Sequence, residues 1–454
     1  MSSSNPILSV GIDIGTTSIS IAVLDINKLC ICKTYTLPYN CDIPNTYCDL
    51  REQDPDLIYK NVQILLAEVN EEFPHISSIG VTGQMHGILY IDKKGNAVSP
   101  LINWQDKRGD RLFEDTVSYC SKIFEITGEA VPSGYGLATL FYDHHNDRVP
   151  ENAYSFCSIM DYVAIKLTGS TTPVIHSSVA NSFGLFDLKK CCFKTDKINM
   201  LGINIPHIPQ VTDDYLITGY YGTAAVSVAI GDNQASYLGS VKDIDNSILV
   251  NIGTGSQISA VTDTLEVNND LEIRPLVKDK YIVCGAALCG GSAYALLEKF
   301  FRSYIRSAKN DTSSQYDIIN ELAKDAYINK IPALTVNTLF KGKRSDTSIT
   351  GSILGITDTN FTPGALALGF INGICRELYE YAEGMVNNKT TVVASGNAVQ
   401  RIEIFKDVIS DMFSLPVRVT SGCEEAATGT ALFSALTAGY LEDIHALSKY
   451  INYN

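Results

Sequence analysis

Two stretches of the chain share one pattern of hydrophobic and polar positions. Residues 8–25 (LSVGIDIGTTSISIAVLD) place two β-branched, partly alternating runs on either side of a Gly-Thr-Thr-Ser break, which predicts a β-hairpin. Residues 247–263 (SILVNIGTGSQISAVTD) repeat that order around a Gly-Thr-Gly-Ser break. Two such units half a chain apart predict a duplicated architecture, with a boundary near Ser240 and domains at 1–240 and 241–454. Between the hairpins, residues 56–72 have helical spacing of apolar positions and stop before Pro74, and residues 76–81 read as a buried strand. The second half continues the alternation with helical patterns at 291–307 and 363–386 and a short β run at 391–394. The segment ending Ala224 to Ile230 reads as another buried strand, and the polar stretches 309–316 and 341–350 as surface loops. Alternation of this kind predicts α/β layers, with ligands bound beyond the carboxyl ends of strands.

Composition narrows the partners. A length of 454 residues suggests two or three domains at roughly 100–200 residues each. Hydrophobic residues at 45% and charged residues at 19% are ordinary globular proportions. The net charge of −15, with no basic run, argues against nucleic acid and anionic membrane surfaces as partners. A small phosphate-bearing ligand stays compatible, because backbone N–H groups and a cation can hold it without a basic surface. No segment reaches the roughly 18 uncharged apolar residues of a spanning helix, and the opening has no basic region before an apolar run, so the expected compartment is the cytoplasm. The twelve cysteines are scattered without zinc-ligand spacing and read as reduced thiols.

Four groups of residues could carry chemistry. Asp13 closes a hydrophobic strand, and Gly15, Thr16, Thr17 and Ser18 follow as small residues whose N–H and hydroxyl groups can surround phosphate oxygens. A carboxylate cannot bind phosphate itself, but it can hold Mg²⁺ that bridges the phosphates. Turn geometry alone would also explain these glycines and threonines; the matching Gly253, Thr254 and Gly255 turn in the other half favours the phosphate reading. Asp232, after the 224–230 run, could accept a proton from an attacking hydroxyl, and could equally cap a helix beginning at Asn233. The Gly-bounded loop with Gln84, Met85 and His86, together with Trp104 and Asp106, offers the amides, carboxylate and aromatic face that suit a polyhydroxylated ligand. Singly, His86 and Trp104 would be read as structural.

In this order the motifs resemble those of the FGGY carbohydrate kinases, within the actin-like ATPase superfamily. Ile12-Asp13-Ile14-Gly15-Thr16-Thr17-Ser18 is similar to the family's first phosphate loop, Gly231-Asp232-Asn233-Gln234 to its base motif, and Asn251-Ile252-Gly253-Thr254-Gly255-Ser256 to its second phosphate loop. Gly83 to Gly87 resembles a ketose loop; Asp161-Tyr162, Leu167-Thr168-Gly169 and Phe340-Lys341-Gly342-Lys343-Arg344 echo further segments. Trp104-Gln105-Asp106 and Ser133-Gly134-Tyr135-Gly136 are more similar to sedoheptulokinases than to xylulokinases. Two departures stand out. The adenosine loop reads Ala394-Ser395-Gly396-Asn397 and keeps only its last glycine, and Lys107 replaces the usual Gly before Arg108.

The resemblance implies two actin-like, ribonuclease H-like α/β domains with an interdomain cleft, taking ATP, Mg²⁺ and a ketose. The implied reaction is phosphorylation of sedoheptulose to sedoheptulose 7-phosphate, with xylulose or another ketose or polyol as the alternative substrate. Asp232 is the implied base, with Asp13 and Asp232 beside Mg²⁺ and the two hydroxyl-rich turns on the phosphates. Gln84, Met85, His86, Trp104, Asp106, Asp232 and Asn233 are implied at the sugar, and Gly396 and Asn397 at the adenosine. A monomer or homodimer is expected. A non-enzymatic sugar sensor or a chaperone-type ATPase is the alternative from another class.

Overall fold

A computed structural model describes residues 6–267, 270–343, 346, 348–383, 385, 388–422 and 424–454. Residues 1–5, Arg344 of the 340–344 motif and Val386 at the end of the expected 363–386 helix lie outside the described residues. The chain divides into two compact units, one of residues 1–239, 274–280 and 422–451, the other of 240–273, 281–421 and 452–454.

In the first unit, β1 (Leu8–Ile14) and β2 (Ser18–Asp25) pair antiparallel as the expected hairpin, and β3 (Cys30–Pro38) adds to β2. Helix α1 (Pro55–Glu72) starts where Asp54 accepts the N–H groups of Asp56 and Leu57 at 3.0 Å and Pro55 presets the first turn. Its buried Ile58, Val62, Leu65, Leu66 and Val69 recur at helical spacing. Then β4 (Ile76–Gly83) runs parallel to β1 through the interior of the sheet. Two further strands, β5 (Ile217–Tyr221) and β6 (Ala224–Ser227), complete the strand order β5-β6-β4-β1-β2-β3. The expected strand through Ile230 is shorter than its apolar run: pairing stops at Ser227, and α2 (Asp232–Ser240) begins at Asp232 itself. Burial, rather than strand pairing, explains the apolar residues Val228, Ala229 and Ile230.

The second unit repeats the plan. An antiparallel hairpin, β7 (Ser247–Ile252) and β8 (Ser256–Thr262), sits in a six-stranded sheet with β9 (Leu271–Val277), whose residues 274–277 count with the first unit, and β10 (Lys280–Ala287). Helices α3 (Gly291–Lys309) and α4 (Pro363–Ala382) precede the parallel strands β11 (Thr391–Ser395) and β12 (Val417–Val419), giving the order β9-β10-β8-β7-β11-β12. Helix α4 ends at Ala382, short of the expected 386. In both sheets the hairpin's first strand pairs antiparallel with its partner and parallel with a later strand, β4 for β1 and β11 for β7.

The chain then returns to the first unit through α5 (Glu425–Thr437), which lies on β1 and β4. The approach is close. A Cβ on Gly11 of β1 would fall 2.0 Å from the Ala427 carbonyl oxygen, and one on Gly80 of β4 would fall 2.6 Å from that of Thr430. Among the described residues no helix is long and apolar enough to cross a membrane.

Candidate active site

The first hydroxyl-rich turn links β1 to β2. Gly15 N–H donates to the Ser18 carbonyl at 2.9 Å, and the carbonyls of Gly15, Thr16 and Thr17 have partners outside the turn. The Tyr39 hydroxyl donates to that of Gly15, the Gln53 amide to that of Thr16 at 3.1 Å, and Tyr39 N–H to that of Thr17 at 2.9 Å. With its acceptors occupied, the turn keeps an exposed Thr17 side chain and a half-buried Gly15, Thr16 and Ser18. Asp13, half-buried one residue before the end of β1, has its pKa raised to about 7, first by burial, then by the charge of Asp232 and of Glu424.

Asp232 opens α2 from the same unit. Burial raises its pKa to about 6, while the buried Arg274 nearby and backbone N–H groups favour its charged form. Its turn is pinned on both sides: Ile230 N–H donates to the Val81 carbonyl at 3.1 Å, and the Thr82 hydroxyl donates to the Ile230 carbonyl at 2.7 Å. A Cβ at Gly231 would lie 2.7 Å from Sδ of Met85, so Met85 packs directly against the turn that carries Asp232. Asn233 is buried in the next position of α2.

Gln84 and Met85 are buried at the carboxyl end of β4, and His86 is half-buried with φ +73°. The Gln84 amide donates to Gln53 Oε1 at 2.9 Å, and Gln53 in turn donates to Thr16, so the two loops are joined through one buried glutamine. The Gln84 Oε1 atom is buried with no hydrogen-bond partner. His86 stacks on Tyr135 at a centroid distance of 4.3 Å. Trp104 is 46% exposed, and its indole N–H donates to Thr16 Oγ1 at 3.1 Å. Asp13, the 15–18 turn, Gln84 to His86, Trp104 and Asp232 are therefore brought together in one unit.

Asp106, implied at the sugar, is buried and fully engaged within the protein. It is 1% exposed, and both its oxygens have partners: Oδ1 accepts from Arg108 N–H and Nε, and Oδ2 accepts from Arg51 N–H at 2.8 Å and Arg108 Nη2 at 3.1 Å. Arg108 also binds Asp143 at 2.7 Å and Glu52 at 2.8 Å. This buried network ties Glu52, the neighbour of Gln53, to the ladder in which Gln53 pairs with Leu101, just upstream of Trp104. The carboxylate thus supports Gln53 and Trp104 from behind.

In the second unit the Gly253-Thr254-Gly255 turn is seated on the start of α3. Gly291 N–H donates to the Gly253 carbonyl at 2.7 Å, and Gly290 and Ser292 donate to that of Thr254 at 3.1 and 3.0 Å. Thr254 stays exposed. Asn251 donates to Ser395 Oγ at 2.9 Å, and Gly396, at φ +92°, passes so near Ile252 that a Cβ would lie 2.6 Å from its carbonyl oxygen. The single retained glycine of the 394–397 loop is therefore the one the backbone requires, and it sets exposed Asn397 beside the base of this turn.

Gln53, Arg108 and Arg274 were not read as site residues from the sequence. The first two interact with partners 31 to 56 positions away, which no local pattern reveals.

Two sheets of one plan, each opening on a hydroxyl-rich turn, with a carboxylate beside an amide- and indole-bearing loop, suit transfer of a phosphoryl group to a hydroxyl, and comparison with known proteins places the chain among phosphotransferases. The profile described as "FGGY family of carbohydrate kinases, N-terminal domain" matches residues 8–239, and the chain belongs to that family. Its fold is the two-domain actin-like, ribonuclease H-like fold, and its activity is that of an ATP-dependent carbohydrate kinase. Xylulose kinase of Staphylococcus xylosus is 24% identical over 97% of this chain and 93% of its own. Sedoheptulokinase of Mus musculus is 24% identical over 94% of this chain and 96% of its own. The crystal structure of gluconate kinase from Lactobacillus acidophilus superposes with a TM-score of 0.82 at 19% identity, covering 98% of this chain and 93% of that one.

Proposed function

We propose that the protein transfers the γ-phosphoryl group of ATP to the terminal primary hydroxyl of sedoheptulose, giving sedoheptulose 7-phosphate. The observation that carries the chemistry is Asp232: a carboxylate with a pKa near 6, on a turn packed against the Gln84-Met85-His86 loop and within electrostatic reach of Asp13. Such a group is largely ionised at neutral pH yet still basic enough to orient the sugar hydroxyl and take its proton as the oxygen attacks phosphorus. Gln84, His86 and Trp104 would hold the sugar, with Met85 and Asn233 shaping its boundary and Asp106 acting through Arg108 and Gln53. Turns 15–18 and 253–255 would offer N–H and hydroxyl groups to the phosphates, where negative charge spreads in the transition state. Gly396 and Asn397 would lie against the adenosine.

Asp13 and Asp232 fit a divalent cation. Their oxygens are hard donors, and Asp13 is raised to about 7 first by burial and then by the nearby charge of Asp232, a repulsion that a cation relieves. Mg²⁺ bound there with the nucleotide would neutralise phosphate charge. Asp13 would anchor that charge, leaving Asp232 to the hydroxyl.

Sedoheptulose is favoured by Trp104-Gln105-Asp106 and Ser133-Gly134-Tyr135-Gly136, and by the likeness to the mouse sedoheptulokinase. Xylulose is the second reading, favoured by the equal identity to the Staphylococcus enzyme. A panel of sedoheptulose, D-xylulose, gluconate and glycerol with MgATP, with the product phosphate located by NMR, separates them. Sedoheptulose should give the highest kcat/KM and a 7-phosphate; a higher value for any other sugar would reassign the substrate.

A further inference from the structure

The loop that presents His86 and the turn that presents Asp232 rest on the same short segment. Strand Val174–His176 leads into the helical turn Ser177–Ala180 and the 3-10 turn Asn181–Phe183. Ser178 and Ser182 stand four positions apart, close to one turn, and both are buried. Ser178 Oγ accepts the N–H of Gly231, the residue before Asp232, at 3.1 Å. Ser182 Oγ accepts the N–H of His86 at 3.2 Å, and the Ser182 carbonyl lies 3.0 Å from His86 Nδ1. His86 adopts a left-handed backbone that costs a non-glycine residue energy, so its conformation depends on such fixed partners.

His176 sets the direction of this brace. Ser178 N–H donates to Nδ1 of His176 at 3.2 Å, which assigns that nitrogen as the acceptor. The Ser178 hydroxyl, 2.8 Å from the same nitrogen, therefore donates to it and turns its lone pairs to Gly231 N–H. The imidazole is fully buried with an edge against Phe433, and burial keeps it neutral, as this arrangement needs.

The geometry points to Ser178 and Ser182 as positioning residues for two different parts of the reaction. Ser178 fixes the Gly231 turn that aims Asp232, and Ser182 fixes the backbone and ring of His86 at the sugar. The inference rests on the roles proposed above for Asp232 and His86. A base is used in the transition state, so misplacing it lowers kcat; a sugar contact already present in the ground state lowers affinity, so loosening it raises KM. The two serines should therefore separate kinetically although they sit on one segment.

The test is steady-state kinetics with MgATP and whichever of sedoheptulose and D-xylulose is turned over. Ser178→Ala should lower kcat about tenfold with sugar KM within twofold, as for loss of one positioning hydrogen bond. Ser178→Cys, which keeps the volume but accepts poorly, should match it, and Ser178→Thr should restore most of the rate. Ser182→Ala should raise sugar KM severalfold with kcat within twofold, and neither variant should move the KM for ATP. Normal kinetics in the Ser178→Cys and Ser182→Ala proteins, or equal losses in kcat and in both KM values, would overturn the assignment and leave the segment as packing alone. Asp232→Asn measured beside them tells the two failures apart. If it is inactive while the serine variants are normal, only the brace is wrong; if it turns over at the normal rate, the base is misassigned and the Ser178 assignment falls with it.

Discussion

Asp232 and Asp13 are carboxyl groups that their surroundings push in the same direction and that the proposed chemistry uses differently. Burial raises both, but Arg274 offsets the effect at Asp232 whereas the Asp232 charge adds to it at Asp13. A base must be deprotonated to act, so activity that depends on Asp232 is present above its pKa of about 6 and lost as pH falls through it. At saturating Mg²⁺, kcat/KM for the sugar should drop about tenfold per pH unit below about 6. A flat profile down to pH 5 would remove Asp232 as the titrating base. Asp13, the 84–86 loop, Trp104 and Asp232 stand out in the sequence because each lies in a short motif, and the structure brings them together in one unit. Asp106 stands in a motif, but its network was not legible, because Asp143 and Glu52 reach the Arg108 that binds it only after folding. Gln53 escaped for the same reason: an isolated glutamine carries no signal until Gln84 and Thr16 are beside it.

At the scale of elements, both hairpins, α1, β4 and β11 follow directly from hydrophobic periodicity, since each has an unbroken pattern and a clear stop. Residues 228–230 misled because burial and strand pairing leave the same apolar trace. The return of α5 to the first sheet was not legible at all; nothing local in residues 425–437 tells which sheet a mostly buried helix covers. What fixes it is absence of side chain on the other surface. Gly11 admits the Ala427 carbonyl, and Ser9 Oγ donates to the Ala431 carbonyl at 2.7 Å. Gly11→Ala would put a methyl 2.0 Å from that Ala427 oxygen, and relief of the clash must move helix or sheet. Overpacking of this kind costs about 1–3 kcal/mol or more, enough to lower the melting temperature by several degrees. An unchanged calorimetric melt would mean that α5 does not lie on β1 as described.

At the scale of the molecule, the duplication was visible in two hairpins, and the structure extends it to the order and direction of the strands around them. Each copy contributes one hydroxyl-rich turn, braced by Tyr39 and Gln53 in the first unit and by the start of α3 in the second. If both turns serve one nucleotide, a non-hydrolysable ATP analogue with Mg²⁺ should slow amide hydrogen exchange at 15–18 and at 253–255 in parallel, with one concentration dependence. Protection confined to one turn would separate their roles. In the proposed reaction this kinase moves a phosphoryl group onto a sugar hydroxyl whose proton goes to Asp232. Its most direct test is product formation by the Asp232→Asn protein, followed with MgATP and sedoheptulose beside the unaltered chain, with sugar binding measured on the same preparation. The expected result is a kcat lowered by at least ~10² with sugar affinity retained; near-normal formation of the sugar phosphate by the folded variant would contradict it.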